Sequence, residues 1–347
     1  MQVIEILEEI VNYIQINPEN FLINHHNHQL PELDSDLIIQ LKKLPQEIQD
    51  KYFNSLLQEF IHNIYYDGSF VRKRNQFINT NYQIGLENKS FEVDWEFCER
   101  LHSNNKGKGS FHPNFRVVKE EVDGSLAVEY FGIIVHIERE SHLRLQDRSA
   151  TVGDIVAVSM PSNQLKLGYY TAIGDAVSLS DGLRVFIYFN FNPEGAVAFM
   201  KGLTTQLNTM QVFFTFLVDY NPDNYGRYYS GLVSFYSNDY KLAIQVIKSL
   251  YEENQSQFQH QVPIFNKVLA PGISLAEKPE FEFNFMENFG MNRCQIVANA
   301  LLEAHKNGDE SKEARMKYIL QHFDYFKIDL ERPYLNPDSE DIYTPLD

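Results

Sequence analysis

Cysteine is nearly missing: 347 residues contain only Cys98 and Cys294. Two cysteines so far apart make no disulfide framework and fit a reducing compartment, so a cytoplasmic location is expected. Long apolar runs are missing too. No stretch approaches the roughly 18 residues that a membrane helix needs. The opening MQVIEILEEIVNYI sets acidic residues inside its apolar pattern, unlike a secretory signal. No membrane partner is expected. Basic residues are outnumbered, 30 Lys and Arg against 47 Asp and Glu, a formal net charge of −17. A surface of that sign repels phosphate backbones, so no nucleic-acid partner is expected, although a local basic pocket is compatible with it. The sequence also lacks a nucleophile elbow, an HExxH, a CxxC pair and a P-loop. Its carboxylates are scattered and single out no acid–base pair.

What is present is an ordinary globular balance, with 44% hydrophobic and 22% charged residues. The length suits two domains, or one large domain with an appended helical part. The expected division is a helical region over 1–90 and an α+β domain over 91–347. Val3, Ile6, Ile10 and Tyr13 or Ile14 recur at helical spacing. Pro45 stands where a first helical residue would, and Ile48, Tyr52, Leu56, Phe60 and Ile64 follow at four-residue steps until Asp67 and Gly68. The polar stretch 79–92 reads as a linker, and a helix is expected over 91–101. A β-rich centre follows, with strands expected at 115–119, 125–130, 133–138, 154–159 and 169–173. Beyond Arg184 come a strand (184–189), a helix capped by Asn192 and Pro193, strands at 212–218 and 232–236, a helix after Asp239, and a strand within 262–269. This is a βαββαβ succession, the order of a ferredoxin-like unit. Helices at 292–305 and 311–326 close the pattern.

Candidate functional residues are few. Asn24-His25-His26-Asn27-His28 lacks a second ligand cluster at a metal-site spacing, so it reads as a solvated loop. The loop Asn104-Asn105-Lys106-Gly107-Lys108-Gly109-Ser110 has the composition of a phosphate cradle but not its spacing, and follows no strand. A helix-terminating loop is the plainer reading. Cys294 beside Arg293 has the bland reading of buried packing. What remains is a set of cations at element ends. His136, Arg139 and His142 fall in HIERESHL, Arg184 begins a strand, Arg227 sits in NPDNYGRYY and Lys267 precedes LAPG. Arg293 opens a helix, whose dipole adds to its attraction for an anion. Each alone reads as half of a surface ion pair. Several together would bind a phosphoryl or carboxylate group through charge-assisted contacts.

Several segments together resemble the HopA-type family, named for a type III secretion effector, whose relatives include lyases of class V lanthipeptide biosynthesis. They are DGSLAVEYFGIIVHIERESHL (123–143), VGDIVAVSMPSNQLKLGYYTAIGD (152–175), LRVFIYFNFNPEGAVAFMKGLT (183–204), VPIFNKVLAPGISLAEKP (262–279), FGMNRCQIVANALLEA (289–304) and ERPYLNP (331–337). They span most of 91–347, and standalone members of this length are typical of cyanobacteria. The resemblance implies a phosphoserine or phosphothreonine lyase, with a kinase partner that first phosphorylates a precursor peptide. No metal or organic cofactor is implied. Such a reaction needs a base for the Cα proton and cations for the enolate-like oxygen and the departing phosphate. Within these motifs Lys267 is the candidate base and His142 the candidate acid for the leaving phosphate. Arg184, Arg227, Arg293 and Arg139 are candidate phosphate ligands, and Glu277 orients a cation. Two departures accompany the resemblance. Leu217, in FTFLVDYNP, stands where many relatives carry lysine, and Tyr229 stands where they tend to carry aspartate. They imply an alternative, a noncatalytic peptide- or kinase-binding protein on the same scaffold.

Overall fold

A computed structural model describes residues 2–29, 33–70, 93–166, 168–177, 182–284 and 287–346. The expected linker at 79–92 lies outside the described residues. The fold is α+β. The first apolar stripe forms α1 (Gln2–Tyr13), followed by a small sheet of β1 (Ile14–Asn17), β2 (Leu22–His25) and β3 (His28–Gln29). The histidine-rich segment is therefore a tight hairpin rather than a solvated loop, with His25 buried. Next come α2 (Ser35–Leu41) and α3 (Gln46–Ile61). Pro45 stands one place earlier than expected, at the N-cap of α3. α3 runs into a π turn, His62–Tyr66, which ends at Asp67.

α4 (Trp95–Asn104) leads into a four-stranded antiparallel sheet of β4 (Ser110–Glu120), β5 (Leu126–Tyr130), β6 (Ile133–Ile137) and β7 (Ile155–Met160), with α5 (Arg139–His142) between the last two. The strand order is β6-β5-β4-β7. This lobe has its own small core, built around Val117, Leu126, Val128 and Val158.

The main sheet has seven strands: β8 (Asn163–Lys166), β9 (Tyr169–Ile173), β10 (Arg184–Phe189), β11 (Phe214–Asp219), β12 (Gly231–Tyr236), β13 (Lys267–Ala270) and β14 (Ile273–Glu277). Helix α6 (Pro193–Thr209) follows β10 and α7 (Tyr240–Asn254) follows β12. The spatial order is β13-β14-β10-β12-β11-β9-β8, with antiparallel neighbours throughout. The single closing strand expected within 262–269 is instead the hairpin β13–β14, and its second arm lies against β10. Pro271-Gly272 makes the turn, where Gly272 has φ 77° and an added Cβ would stand 2.2 Å from the Gln259 carbonyl oxygen.

Register divides this sheet into two faces. Val185, Ile187, Phe189, Phe216, Val233 and Phe235 project from one and are fully buried. α6 packs there, with Phe199 and Phe189 ring centroids 5.0 Å apart. The other face is partly covered by helices from both ends of the chain. α8 (Phe289–Lys306) packs on α3, where Asn54 donates to Asn299 at 2.7 Å. α9 (Lys312–Tyr325) packs on α1, where Arg315 donates to the Val11 carbonyl at 2.9 Å. Leu7, Phe53 and Leu301 thus share one core cluster with the sheet.

Candidate functional site

Opposite residues in antiparallel strands project to the same side, and side chains two apart in a strand share a face. β10 sets Arg184 opposite Tyr236 and Phe186 opposite Ser234. β11 sets Thr215 opposite Ser234 and Leu217 opposite Leu232. β9 then sets Thr171 opposite Leu217 and Tyr169 opposite Asp219. The second face therefore carries Arg184 at one end, a patch of hydroxyls in the middle and Asp219 at the other end.

Arg184 is half-buried, its guanidinium carbon 5.2 Å from the Phe213 ring centroid and 5.1 Å from that of Tyr236. Nε donates to Ser234 Oγ at 3.0 Å, and a terminal nitrogen to Ser234 Oγ at 2.7 Å and Thr215 Oγ1 at 3.4 Å. Among the described residues no carboxylate pairs with it. Hydroxyl oxygens and ring faces fix the side chain, and among the described residues they supply it no opposite charge. Arg227 is different. Reaching in from the loop after β11, it donates to Asp219 Oδ2 at 2.6 Å and lies 3.5 Å from Asp67 Oδ2. Nε donates to the Asn224 carbonyl at 3.0 Å. Burial opposes its charge, but Asp67, Tyr169 and Asp219 outweigh burial and raise its pKa. It is a structural cation with a carboxylate on either side.

Thr215 and Asp219 are four residues apart, so the two arginines anchor points about 13 Å apart along β11. Leu217 lies midway. A lysine there would stand between the arginines; leucine offers neither charge nor base. Tyr229 packs edge-on against Tyr188 and Tyr66, at 5.2 and 6.1 Å between centroids. Burial raises the phenol pKa of all three, so none supplies a phenolate near neutrality. Thr171 Oγ1 on this face and Asp67 Oδ1 at its end are buried without a partner among the described residues. Such atoms cost stability unless something polar reaches them.

Lys267, Glu277 and Arg293 come together elsewhere, around the C-terminal segment. Lys267 and Glu277 project from the opposite face of the sheet to Arg184. Lys267 Nζ meets Asp341 Oδ2 at 2.6 Å, and that oxygen also accepts from Tyr334 at 2.6 Å. Glu277 is buried, its oxygens accepting from the Asn336 N–H and the Tyr343 hydroxyl, both at 2.8 Å. Its hydrogen bonds hold the C-terminal segment, and its charge also favours the cationic form of Arg293. Arg293, also buried, donates to the Pro333 carbonyl at 2.9 Å, the Leu335 carbonyl at 3.2 Å and Asn292 Oδ1 at 2.6 Å. Burial lowers its pKa to about 10.

Arg139 and His142 belong to the small lobe. Arg139 donates to the carbonyls of Gly124, Arg148 and Ala150 and pairs with Glu120 at 2.9 Å. His142 Nδ1 lies 3.2 Å from the backbone of its own turn at Glu138. The seven candidates thus fall into three places. Arg184 and Arg227 share a sheet face, Lys267, Glu277 and Arg293 share the C-terminal clasp, and Arg139 and His142 share the lobe.

The glycine and lysine loop has an internal occupant. The N–H groups of Lys108 and Gly109 donate to Asp175 Oδ1 at 2.7 and 2.9 Å, and the Gly107 N–H to Asn105 Oδ1 at 2.9 Å. A carboxylate of the chain fills the place that a phosphate would take. Cys294 is fully buried and its thiol pKa is pushed up by that burial, as packing requires. No group of histidines, cysteines and carboxylates suited to a metal occurs among the described residues, and no helix there is long and apolar enough to cross a membrane.

Sequence reasoning missed Thr171, Thr215, Ser234 and Asp67. A readable signal existed for two of them: Thr215 and Ser234 are hydroxyl residues inside otherwise apolar strands, FTFLV and GLVSFY. Asp67 was seen only as a helix terminator.

The profile of the HopA1 effector protein family matches residues 160–335, just over half of the chain and all of the main sheet. No curated protein matches. Two solved structures resemble the fold distantly. One is an effector protein from Pseudomonas syringae pv. tomato strain DC3000, at 14% identity and TM-score 0.42, covering 70% of this chain and 81% of that one. The other is an effector protein from Pseudomonas syringae pv. syringae strain 61, at 16% identity and TM-score 0.43, covering 82% of this chain and 96% of that one. Likeness of that degree locates no site.

Proposed function

Since the chain belongs to the HopA1 effector protein family, we propose that it binds phosphorylated serine or threonine side chains of a peptide at the Arg184 end of the partly covered face of the main sheet, without eliminating the phosphate. The observation that carries this reading is Arg184, a fixed, half-buried guanidinium with no carboxylate partner among the described residues. A phosphoryl group brings charge of about −1.5 to −2 and oxygens that accept from a guanidinium fork. Thr215, half-buried on the same face, adds a hydroxyl donor, while Ser234 and Thr171 lie buried beneath it. Leu217 supports binding rather than reaction, because it puts an inert side chain between the arginines. The partner this reading requires is a kinase that phosphorylates the peptide.

A second reading, phosphoserine or phosphothreonine lyase, is favoured by the convergence of Lys267, Glu277 and Arg293 on the C-terminal segment. In that reaction a base removes the Cα proton and its electron pair becomes the Cα–Cβ double bond. The Cβ–O bond breaks and phosphate leaves with the bonding pair. Lys267 serves as that base only when released from Asp341, which requires the C-terminal segment to move. Incubation with a phosphothreonine peptide, followed by mass spectrometry, separates the readings. The expected result is an unchanged peptide mass. A product lacking phosphoric acid would overturn the binding-only reading in favour of the lyase. Lys267→Ala would then test the base.

A further inference from the structure

A concavity lies on the side of the molecule where α1 and the β2–β3 hairpin face the segment leading into β13. It is a cleft of about 790 Å³. Tyr13, Tyr65 and Tyr228 all line it, and among the described residues Glu9 is the single carboxylate on its walls, which carry no lysine or arginine. Glu9 makes no hydrogen bond or ion pair with the described residues. It lies close enough to Tyr65 and Tyr228 to act on both phenols.

The rings are held in place before any ligand arrives. The Tyr65 hydroxyl is 2.8 Å from His25 Nε2, and the Tyr13 ring stands edge-on to His25 at 5.8 Å. Tyr228 lies over Gly68, where an added Cβ would come within 2.8 Å of the ring. His25 is kept neutral at physiological pH by burial and by His28 and His26, its pKa lowered to about 4, so it does not repel a cation. Val3 and Ile6 line the same cleft and offer an apolar wall for an alkyl stem.

We propose that this cleft binds a cationic side chain, an arginine or lysine of an extended peptide, with the stem along Val3 and Ile6 and the charge between the tyrosine rings and Glu9. Aromatic faces attract cations, and a carboxylate with no partner among the described residues adds a direct Coulomb attraction. An extended peptide is the favoured source because the cleft exceeds one side chain in size. A neighbouring cleft of about 590 Å³ also shares His260 and Pro271 with it, which continues the path.

The test uses the full-length protein and isothermal titration calorimetry with an unphosphorylated pentapeptide carrying a central arginine, its norleucine counterpart, and putrescine. Because no phosphate is present, failure here is independent of the phosphopeptide reading. The arginine peptide is expected to bind about tenfold more tightly than the norleucine peptide. Glu9→Gln, a change at an exposed position, is expected to leave the melting temperature unaltered and to erase that preference. Tyr13→Leu is expected to reduce it. Equal binding of the arginine and norleucine peptides, or a preference that survives Glu9→Gln, would overturn the proposal. Putrescine binding as tightly as the arginine peptide would overturn the peptide assignment.

Discussion

Arg227 donates to Asp219 at 2.6 Å and lies 3.5 Å from Asp67, whereas Arg184 meets hydroxyls and ring faces. Equal charges therefore have unequal freedom. Removing Arg227 strands two buried carboxylates, and Arg227→Met is expected to cost about 3–5 kcal/mol of folding stability, read from urea denaturation. Arg184→Gln leaves no such orphan charge and is expected to change stability by less than about 1 kcal/mol. His25 carries a pH dependence. Burial first, then the neighbouring His28 and His26, lower its pKa from 6.5 to about 4 in the folded protein. The unfolded chain takes up a proton that the native state refuses, so this contribution is full above about pH 6.5 and is lost as pH falls toward 4. Urea midpoints of the wild type and His25→Gln are expected to converge over that range. A constant difference between them would contradict the assignment.

At the scale of elements, close approaches fix how the helices from the two ends of the chain meet the sheet. Gly290, in the first turn of α8, lies against Tyr66, where an added Cβ would come within 2.3 Å of the ring. Tyr66 is fully buried and its hydroxyl is 3.2 Å from Asn266 Oδ1, so the ring has nowhere to move. Alanine gains up to about 1 kcal/mol of helix propensity over glycine, but overpacking costs about 1–3 kcal/mol. Gly290→Ala is therefore expected to destabilise the fold, with a lower melting temperature in calorimetry. The strand Tyr169–Ile173 was legible residue for residue, and Asn192 with Pro193 marked the start of α6 correctly. Local patterns carry that information. The hairpins at His25–His28 and β13–β14 were not legible, although each pairs residues close in the chain, because strands of two and four residues are too short to show an alternating pattern. The occupant of the glycine and lysine loop was hidden for a different reason, since Asp175 comes from beyond β9.

At the scale of the whole molecule, α+β architecture was readable from the order of periodic segments, but the division of the cations was not. Arg184 and Arg227 share a face only through the pairing of β10, β12 and β11, while the bulk of the sheet separates Lys267 from them. The net charge of −17 surrounds this face with a repulsive field. Salt screens that long-range repulsion more than the short contact at Arg184. The association rate of an acidic phosphopeptide is therefore expected to rise as ionic strength increases from 10 to about 150 mM in stopped-flow measurements. The central claim is that half-buried Arg184 at the end of the second sheet face receives a phosphoryl group, and fluorescence anisotropy with paired peptides tests it most directly. The phosphothreonine peptide is expected to bind the wild type at least about tenfold more tightly than its unphosphorylated twin, and Arg184→Gln to remove the difference. Equal affinity for the two peptides, or an unchanged preference in Arg184→Gln, would contradict it.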